Sequence, residues 1–340
     1  MSEIAIIGAG AWGTALSIVL GRANRHGIRL WTYEQEVCES IAQRRVNEKF
    51  LPGQQIPATV APSIDLAEAI AGAGIVISVM PSQHCRGLFE QMRPLLDPET
   101  VVVSATKGLE ENSLLRMTEV ISQVLDTGRS RGIKIGALSG PSFALEAARG
   151  DPTAVTVASH DAELTLKIQQ EFSTASFRIY TNADPIGVEL GGALKNTIAI
   201  AAGVCAGLGL GHNSVAALIT RGLAEMTRLV VACGGQAETM AGLAGLGDLV
   251  LTCTGGLSRN RGVGFELGRG NKLPDILAAM HGTVAEGVST TTAAVGLARA
   301  RGVEMPITEQ MDAILHHGKA PRDAMYELMT RSGKSETIRP

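Results

Sequence analysis

Lys195 is the side chain in this sequence best placed for acid–base chemistry. It stands early in a long apolar run, Pro185 to Gly211, and no charge follows between Asn196 and Gly211. On a helix a side chain leans back over positions three and four residues earlier, here Gly192 and Gly191. The ammonium is therefore expected above bare backbone, with room beside it for a small molecule. Two glycines cost roughly 1 kcal/mol each in helix propensity, so a packing or functional reason is needed. The plain alternative is a lysine whose stem packs while its head reaches water.

Three further stretches carry groups suited to binding phosphate or steering a proton. Gly8-Ala9-Gly10-Ala11-Trp12-Gly13 follows an apolar run, Glu3 to Ile7, and opens a helix from Thr14 to about Ala23. That is the strand, glycine turn and helix order in which GxGxxG binds a dinucleotide. The first glycine permits the turn, the second lets backbone approach a pyrophosphate, and the third packs helix on strand. The phosphates then meet free N–H groups and the positive end of the helix dipole. A second stretch, Ser258-Arg259-Asn260-Arg261, reads as an N-cap serine and the first turn of a helix to about Gly268. Such a start with an adjacent guanidinium suits a phosphate ester, and equally suits a surface cap with solvated arginines. The third, Gly245-Leu246-Gly247-Asp248, offers a carboxylate that caps a helix or orients a neighbour.

Parallel-sheet elements are expected to position the first of these groups. Ile28 to Tyr33, Ile75 to Met80, Thr100 to Ala105 and Ile133 to Leu138 are near-continuous apolar strands alternating with helices. Thr153 to Ala158 and Phe177 to Thr181 complete the set. This rhythm implies a parallel sheet covered on both faces, with ligands beyond the carboxyl ends of the strands. Lys107, Ser142 and the Gly8–Gly13 turn all fall at such ends and are expected to share one crevice. The second strand ends Trp31-Thr32-Tyr33-Glu34, with its acid late and no arginine following. That is a mixed signal between a ribose hydroxyl and a 2′-phosphate. From Pro185 onward the strand signal stops and helices take over, at 185–206, 213–233, 286–300, 306–317 and 321–331. The expected fold is α/β, a Rossmann-type parallel-sheet domain over 1–184 followed by an all-α domain over 185–340.

Bulk composition narrows the class. The chain has 340 residues, 45% apolar and 19% charged, with net charge −3, which gives no reason to expect nucleic acid or an acidic membrane as partner. The N-terminus lacks a basic leader and cleavage site, and the uncharged run ending at Gly211 reads as too short and glycine-rich to cross a membrane. Five scattered cysteines without a CxxC pair point to reduced thiols in a cytoplasm. The seven histidines show no ligand spacing, so no metal is expected.

Taken together, these motifs resemble the bacterial NAD(P)-dependent glycerol-3-phosphate dehydrogenases. The resemblance is carried by Gly8 to Leu16, Asn47 to Gly53, Ala105 to Gly108 and Ser139 to Glu146, then by the Lys195 helix, Gly245 to Thr252 and Ser258 to Asn260. It implies reversible hydride transfer between NADPH or NADH and dihydroxyacetone phosphate, giving sn-glycerol 3-phosphate for phospholipid synthesis in the cytoplasm, by a homodimer not inserted in a membrane. By position it implies that Lys195 exchanges the proton, with Lys107, Gly140, Ser142, Asp248, Ser258, Arg259 and Asn260 on the substrate. It likewise places Gly8, Gly10, Ala11, Trp12, Gly13, Tyr33, Lys107, Ala144, Arg259, Val284 and Glu286 on the cofactor. Ala11 stands where a serine is common and Tyr33 where many relatives carry a basic residue. The alternatives are another two-domain dehydrogenase, of a β-hydroxy acid or ketopantoate, and a dinucleotide sensor that binds without turnover.

Overall fold

Why the strands are apolar along their whole length is plain from the computed structural model, which describes residues 3–127, 132–280, 284–333 and 335–336. Ile4 and Ile6 of β1 (Glu3–Ile7) enter a core on one face of the sheet, while Ala5 and Ile7 enter a second core on the other. Successive side chains of a strand point to opposite faces, so a strand covered on both has no polar side to show. The remaining strands are β2 (Gly27–Trp31), β3 (Val46–Asn47), β4 (Leu51–Gln55), β5 (Val60–Ser63), β6 (Ala73–Ser78), β7 (Val101–Ser104), β8 (Ile135–Ser139), β9 (Thr153–Ala158) and β10 (Phe177–Asn182).

Eight of these form one sheet in the order β10-β9-β8-β7-β6-β1-β2-β5. Every neighbouring pair in it is parallel except β8–β9, which is antiparallel, so the expected parallel sheet is present with one departure at that junction. The succession of strands reverses direction between β1 and β6, the switch point where doubly wound sheets bind ligands. β3 and β4 form a separate antiparallel hairpin. Neither they nor β5 announced themselves as strands, because Pro52, Gly53, Pro57 and Pro62 break the apolar pattern.

The chain divides into two compact units, Met1–Glu110 with Leu115–Glu189, and Glu111–Leu114 with Leu190–Pro340. The described part of the second unit holds helices and no named strand. Its helices at Pro185–Gly207 (whose first residues belong to the first unit), His212–Ala232, Gly287–Arg301, Pro306–His316 and Pro321–Met329 match the sequence periodicity within a residue or two. Four shorter segments, Ala237–Met240, a π-turn at Leu243–Gly247, Asp248–Thr254 and Leu273–Ala279, were not apparent in the sequence.

The Pro185–Gly207 helix is the axis of the second unit. At 23 residues, counting the charged residues that precede the uncharged run, it is long and apolar enough to cross a membrane, and 83% of its most apolar window is buried inside the protein. Its apolarity is thus accounted for by the core it occupies. It meets the Arg259–Gly268 helix backbone to backbone: a Cβ added at Gly203, Gly207, Gly264 or Gly268 would come within 3.0 Å of a carbonyl oxygen of the other helix. Side chains at these four positions would force the helices apart.

Candidate active site

In the first unit the glycine turn is seated at the switch point. Gly8 donates its N–H to the Trp31 carbonyl at 3.1 Å, and Val79 donates to the Ile7 carbonyl at 2.9 Å. Gly8 has φ +117°, a conformation that glycine adopts freely. A Cβ on Gly13 would lie well under 3.0 Å from the Gly8 carbonyl oxygen, whereas one on Gly10 would meet nothing within 4 Å. The turn is closed where helix packs on strand and open at its middle glycine. Gly10 is also the N-cap of the Ala11–Ala23 helix and offers no side chain to its first N–H groups. An open backbone cradle at the positive end of a 13-residue helix fits a dinucleotide pyrophosphate.

Asn47, buried in the β3–β4 hairpin, holds this turn from above. Its Nδ2 donates to the Ala9 carbonyl and to Thr14 Oγ1, each at 2.8 Å. The residue lay inside a recognised motif, but nothing in its spacing announced a clamp on a turn 38 positions away. Trp12 packs against the same core and meets the Phe177 ring at 6.4 Å between centroids. Ala144, first residue of the Ala144–Arg149 helix, packs there too. Tyr33 is 86% exposed beyond the end of β2.

Three of the expected substrate residues converge on one carbonyl. Lys107 Nζ donates to the Gly140 oxygen at 3.3 Å, and Ser142 Oγ donates to the same atom at 2.9 Å. Lys107 follows β7 and Gly140 follows β8, so both stand at carboxyl ends, as expected.

In the second unit Lys195 is buried, 6% exposed. Its Nζ donates to Asp248 Oδ1 and, at 2.8 Å, to Thr252 Oγ1. Thr252 in turn donates to the Asp248 carbonyl at 2.6 Å. Asp248 and Thr252 share a face of the Asp248–Thr254 helix because they are four residues apart. Thr252 was missed as a site residue because that short helix was not foreseen. Gly191 has a different reason from the one expected. A Cβ there would lie 2.6 Å from the Ala244 carbonyl oxygen, so the glycine admits the segment that carries Asp248 rather than leaving room for a ligand. Cys253, beside this pair, has its thiol pushed up to about 12 by burial, which keeps it protonated and unfit as a nucleophile.

Ser258 caps the Arg259–Gly268 helix as expected, its Oγ accepting from the Arg261 N–H at 3.2 Å. Arg259 is exposed. Asn260 is buried, and both ends of its amide are engaged: Nδ2 donates to Asn196 Oδ1 at 3.0 Å, and Oδ1 accepts from the Gly287 N–H at 3.0 Å. It therefore ties three helices together beside Lys195. The signal for this tie in the sequence is Asn196 itself, a polar residue at the start of an uncharged apolar run. Glu286 is the N-cap of the Gly287–Arg301 helix, and Val284 is 45% exposed just before it. Among the described residues no group of His, Cys, Asp and Glu could hold a metal ion.

Two family models match nearly end to end. Residues 3–165 match the N-terminal part of NAD-dependent glycerol-3-phosphate dehydrogenase, and residues 184–326 match its C-terminal part. The chain belongs to the NAD-dependent glycerol-3-phosphate dehydrogenase family. It is 65% identical over 336 residues to the glycerol-3-phosphate dehydrogenase [NAD(P)+] of Koribacter versatilis, covering 99% of both chains. It is 56% identical to that of Acidobacterium capsulatum, covering 99% of this chain and 100% of the relative. Among solved structures, glycerol-3-phosphate dehydrogenase from Coxiella burnetii superposes with a TM-score of 0.92 at 41% identity, over 97% of this chain and 99% of that one. A glycerol-3-phosphate dehydrogenase family member is thus built here from a glycine turn on a doubly wound sheet and a buried lysine on a helical unit.

Proposed function

We propose that this protein interconverts dihydroxyacetone phosphate and sn-glycerol 3-phosphate with NADH or NADPH, and that Lys195 carries the proton. The observation supporting this most strongly is the Lys195–Asp248–Thr252 cluster, a buried ammonium fixed by a carboxylate and a hydroxyl. The reduced nicotinamide, when bound, supplies the hydride. As the ketone carbon is reduced, negative charge grows on its oxygen. The Lys195 ammonium stabilises that charge and donates the proton, and in the reverse direction it takes the proton back. Asp248 accepts one N–H of the ammonium and fixes its position, while Thr252 accepts another and sets its direction.

We assign the phosphate of the substrate to the start of the Arg259–Gly268 helix. Ser258 occupies the Arg261 N–H, and the earlier first-turn N–H groups of Arg259 and Asn260 have no partner within the helix. With the Arg259 guanidinium they form a phosphate cradle. Asn260 contributes chiefly by holding this helix start beside Asn196. Lys107, Gly140 and Ser142 are assigned to the substrate as well.

We assign the cofactor to Gly8, Gly10, Ala11, Trp12 and Gly13 through the pyrophosphate, to Tyr33 at the ribose, and to Lys107, Ala144, Arg259, Val284 and Glu286. Residues 1–184 would form the dinucleotide-binding domain and 185–340 the helical substrate and catalytic domain, each lending residues to the ligand held chiefly by the other. The enzyme would act in the cytoplasm as a homodimer, free of membrane and nucleic acid, supplying phospholipid synthesis. The test is the initial rate of loss of the reduced-nicotinamide absorbance. Oxidation dependent on dihydroxyacetone phosphate is expected with at least one cofactor, and binding of both cofactors without oxidation would leave a sensor.

A further inference from the structure

The end of β2 carries an ion cluster that the assigned chemistry leaves unused. Thr32, Tyr33 and Glu34 follow the strand, and Glu34 begins the Gln35–Arg44 helix as its N-cap. Thr32 Oγ1 lies 3.4 Å from Glu34 Oε2, which keeps that carboxylate beside the strand end. Facing it is Lys49 of the β3–β4 hairpin. Its Nζ donates to Glu36 Oε1 at 2.6 Å and lies 3.7 Å from Glu34 Oε1. The same ammonium stands 5.3 Å from the centroid of the Phe50 ring, which helps to fix it.

The location of this cluster follows from Asn47. That residue clips the hairpin to the glycine turn, through Ala9 and Thr14, so Lys49 is delivered beside the strand end where a dinucleotide's adenosine ribose lies. Two carboxylates thus share one ammonium, and the cluster has a net charge of −1. The other basic groups of this neighbourhood are committed elsewhere. Arg45 donates to the carbonyls of Ile56, Pro57 and Val60, and Arg44 donates to Ser40 Oγ at 3.0 Å.

We propose, resting on the dinucleotide reading above, that Glu34, Glu36 and Lys49 set the cofactor choice, and that they set it for NADH. Glu34 accepts from a ribose 2′-hydroxyl. A 2′-phosphate would bring nearly two further negative charges to a cluster already short of positive charge, and could engage Lys49 only by displacing Glu36. Lys49 is the reserve cation: once its carboxylates are neutral, it becomes a 2′-phosphate ligand.

The experiment measures dissociation constants of NADH and NADPH by titration calorimetry of the full-length protein, without substrate. NADH is expected to bind roughly tenfold tighter, the combined scale of two exposed charge interactions. The gap should narrow as salt is raised from low ionic strength, because Lys49 and Glu36 are exposed and Glu34 is only half-buried, so their charges are screened. In the Glu34→Gln/Glu36→Gln double variant the preference should fall to parity or reverse. Adding Lys49→Gln to that variant should weaken NADPH again while leaving NADH little changed. Tighter binding of NADPH by the unaltered protein, or an unchanged ratio in the double variant, would overturn the proposal. Failure of both dinucleotides to bind would instead remove the dinucleotide reading on which it rests.

Discussion

Lys195 donates from Nζ to Thr252 Oγ1 at 2.8 Å, across 57 positions of sequence. Thr252 passes its own hydrogen to the Asp248 carbonyl at 2.6 Å, so the hydroxyl can only accept from the lysine and cannot compete with it as a donor. Loss of the ammonium should therefore cost more than loss of its support. Lys195→Ala is expected to lower kcat by roughly 10²–10⁴-fold, about 3–5 kcal/mol of barrier. Thr252→Val should lower it by only about ten- to a hundredfold, the worth of a hydrogen bond to a charged group. Initial rates at saturating cofactor decide between these. Normal turnover without Lys195 would remove it from the chemistry.

Arg259 is exposed at the start of a helix whose cap is a serine hydroxyl, so its loss leaves the fold intact. Arg259→Ala should raise KM for dihydroxyacetone phosphate by on the order of tenfold to a hundredfold, the strength of a charge-assisted contact. It should also reduce the preference over unphosphorylated dihydroxyacetone. Equal discrimination before and after the substitution would place the phosphate elsewhere.

The two ends of the glycine turn should fail in different ways. A methyl at Gly10 meets nothing within 4 Å, so Gly10→Ala should fold normally and lose cofactor affinity. Gly13→Ala drives a methyl into the Gly8 carbonyl and should unfold or strongly destabilise the protein. Thermal denaturation with and without NADH separates these outcomes: a normal Tm with a lost ligand-induced increase for the first, a lowered Tm without ligand for the second.

The sequence made the large features legible because each is announced locally. The GxGxxG turn carries its own strand and helix, Ser258 is a cap followed by its helix, and the long helices repeat their apolar positions. What escaped was set by contacts between distant segments. Asn47 reads as a loop residue until the hairpin is seen on the glycine turn. Gly191 reads as space beside Lys195 until Ala244 is found filling it. Thr252 becomes a partner of Lys195 only once residues 248–254 are known to be helical. The antiparallel junction between β8 and β9 also leaves no trace in composition, since a strand buried on both faces looks the same in either direction.

Glu225 makes stability depend on pH. It is 2% exposed and accepts the Ile307 N–H at 2.7 Å, together with Thr308, at the start of the Pro306–His316 helix. Burial raises its carboxyl from 4.5 to about 7, against the opposing pull of those N–H groups and Arg228. A carboxyl raised in the folded state binds more protons there than in the unfolded chain. Its contribution to stability is therefore present below pH 4.5 and is lost as pH rises through about 7. The loss amounts to roughly 3 kcal/mol and is complete above that range. Glu225→Gln should be free of this slope. Chemical denaturation of both proteins across that range checks it: parallel pH profiles would show that Glu225 does not titrate there.

The four glycines where the Pro185–Gly207 and Arg259–Gly268 helices touch act as a fixed gauge. The distance from the Lys195 helix to the helix that begins at Arg259 is set by main-chain thickness, with no side chain available to grow or shrink. On the proposed assignment of the substrate phosphate, preference can therefore drift by exchanging side chains at residues 258–260. It cannot drift by sliding that loop nearer, since the main chains of the two helices already touch there. A designer wishing to admit a longer phosphate ester should leave this crossing untouched and shorten what projects from the helix start.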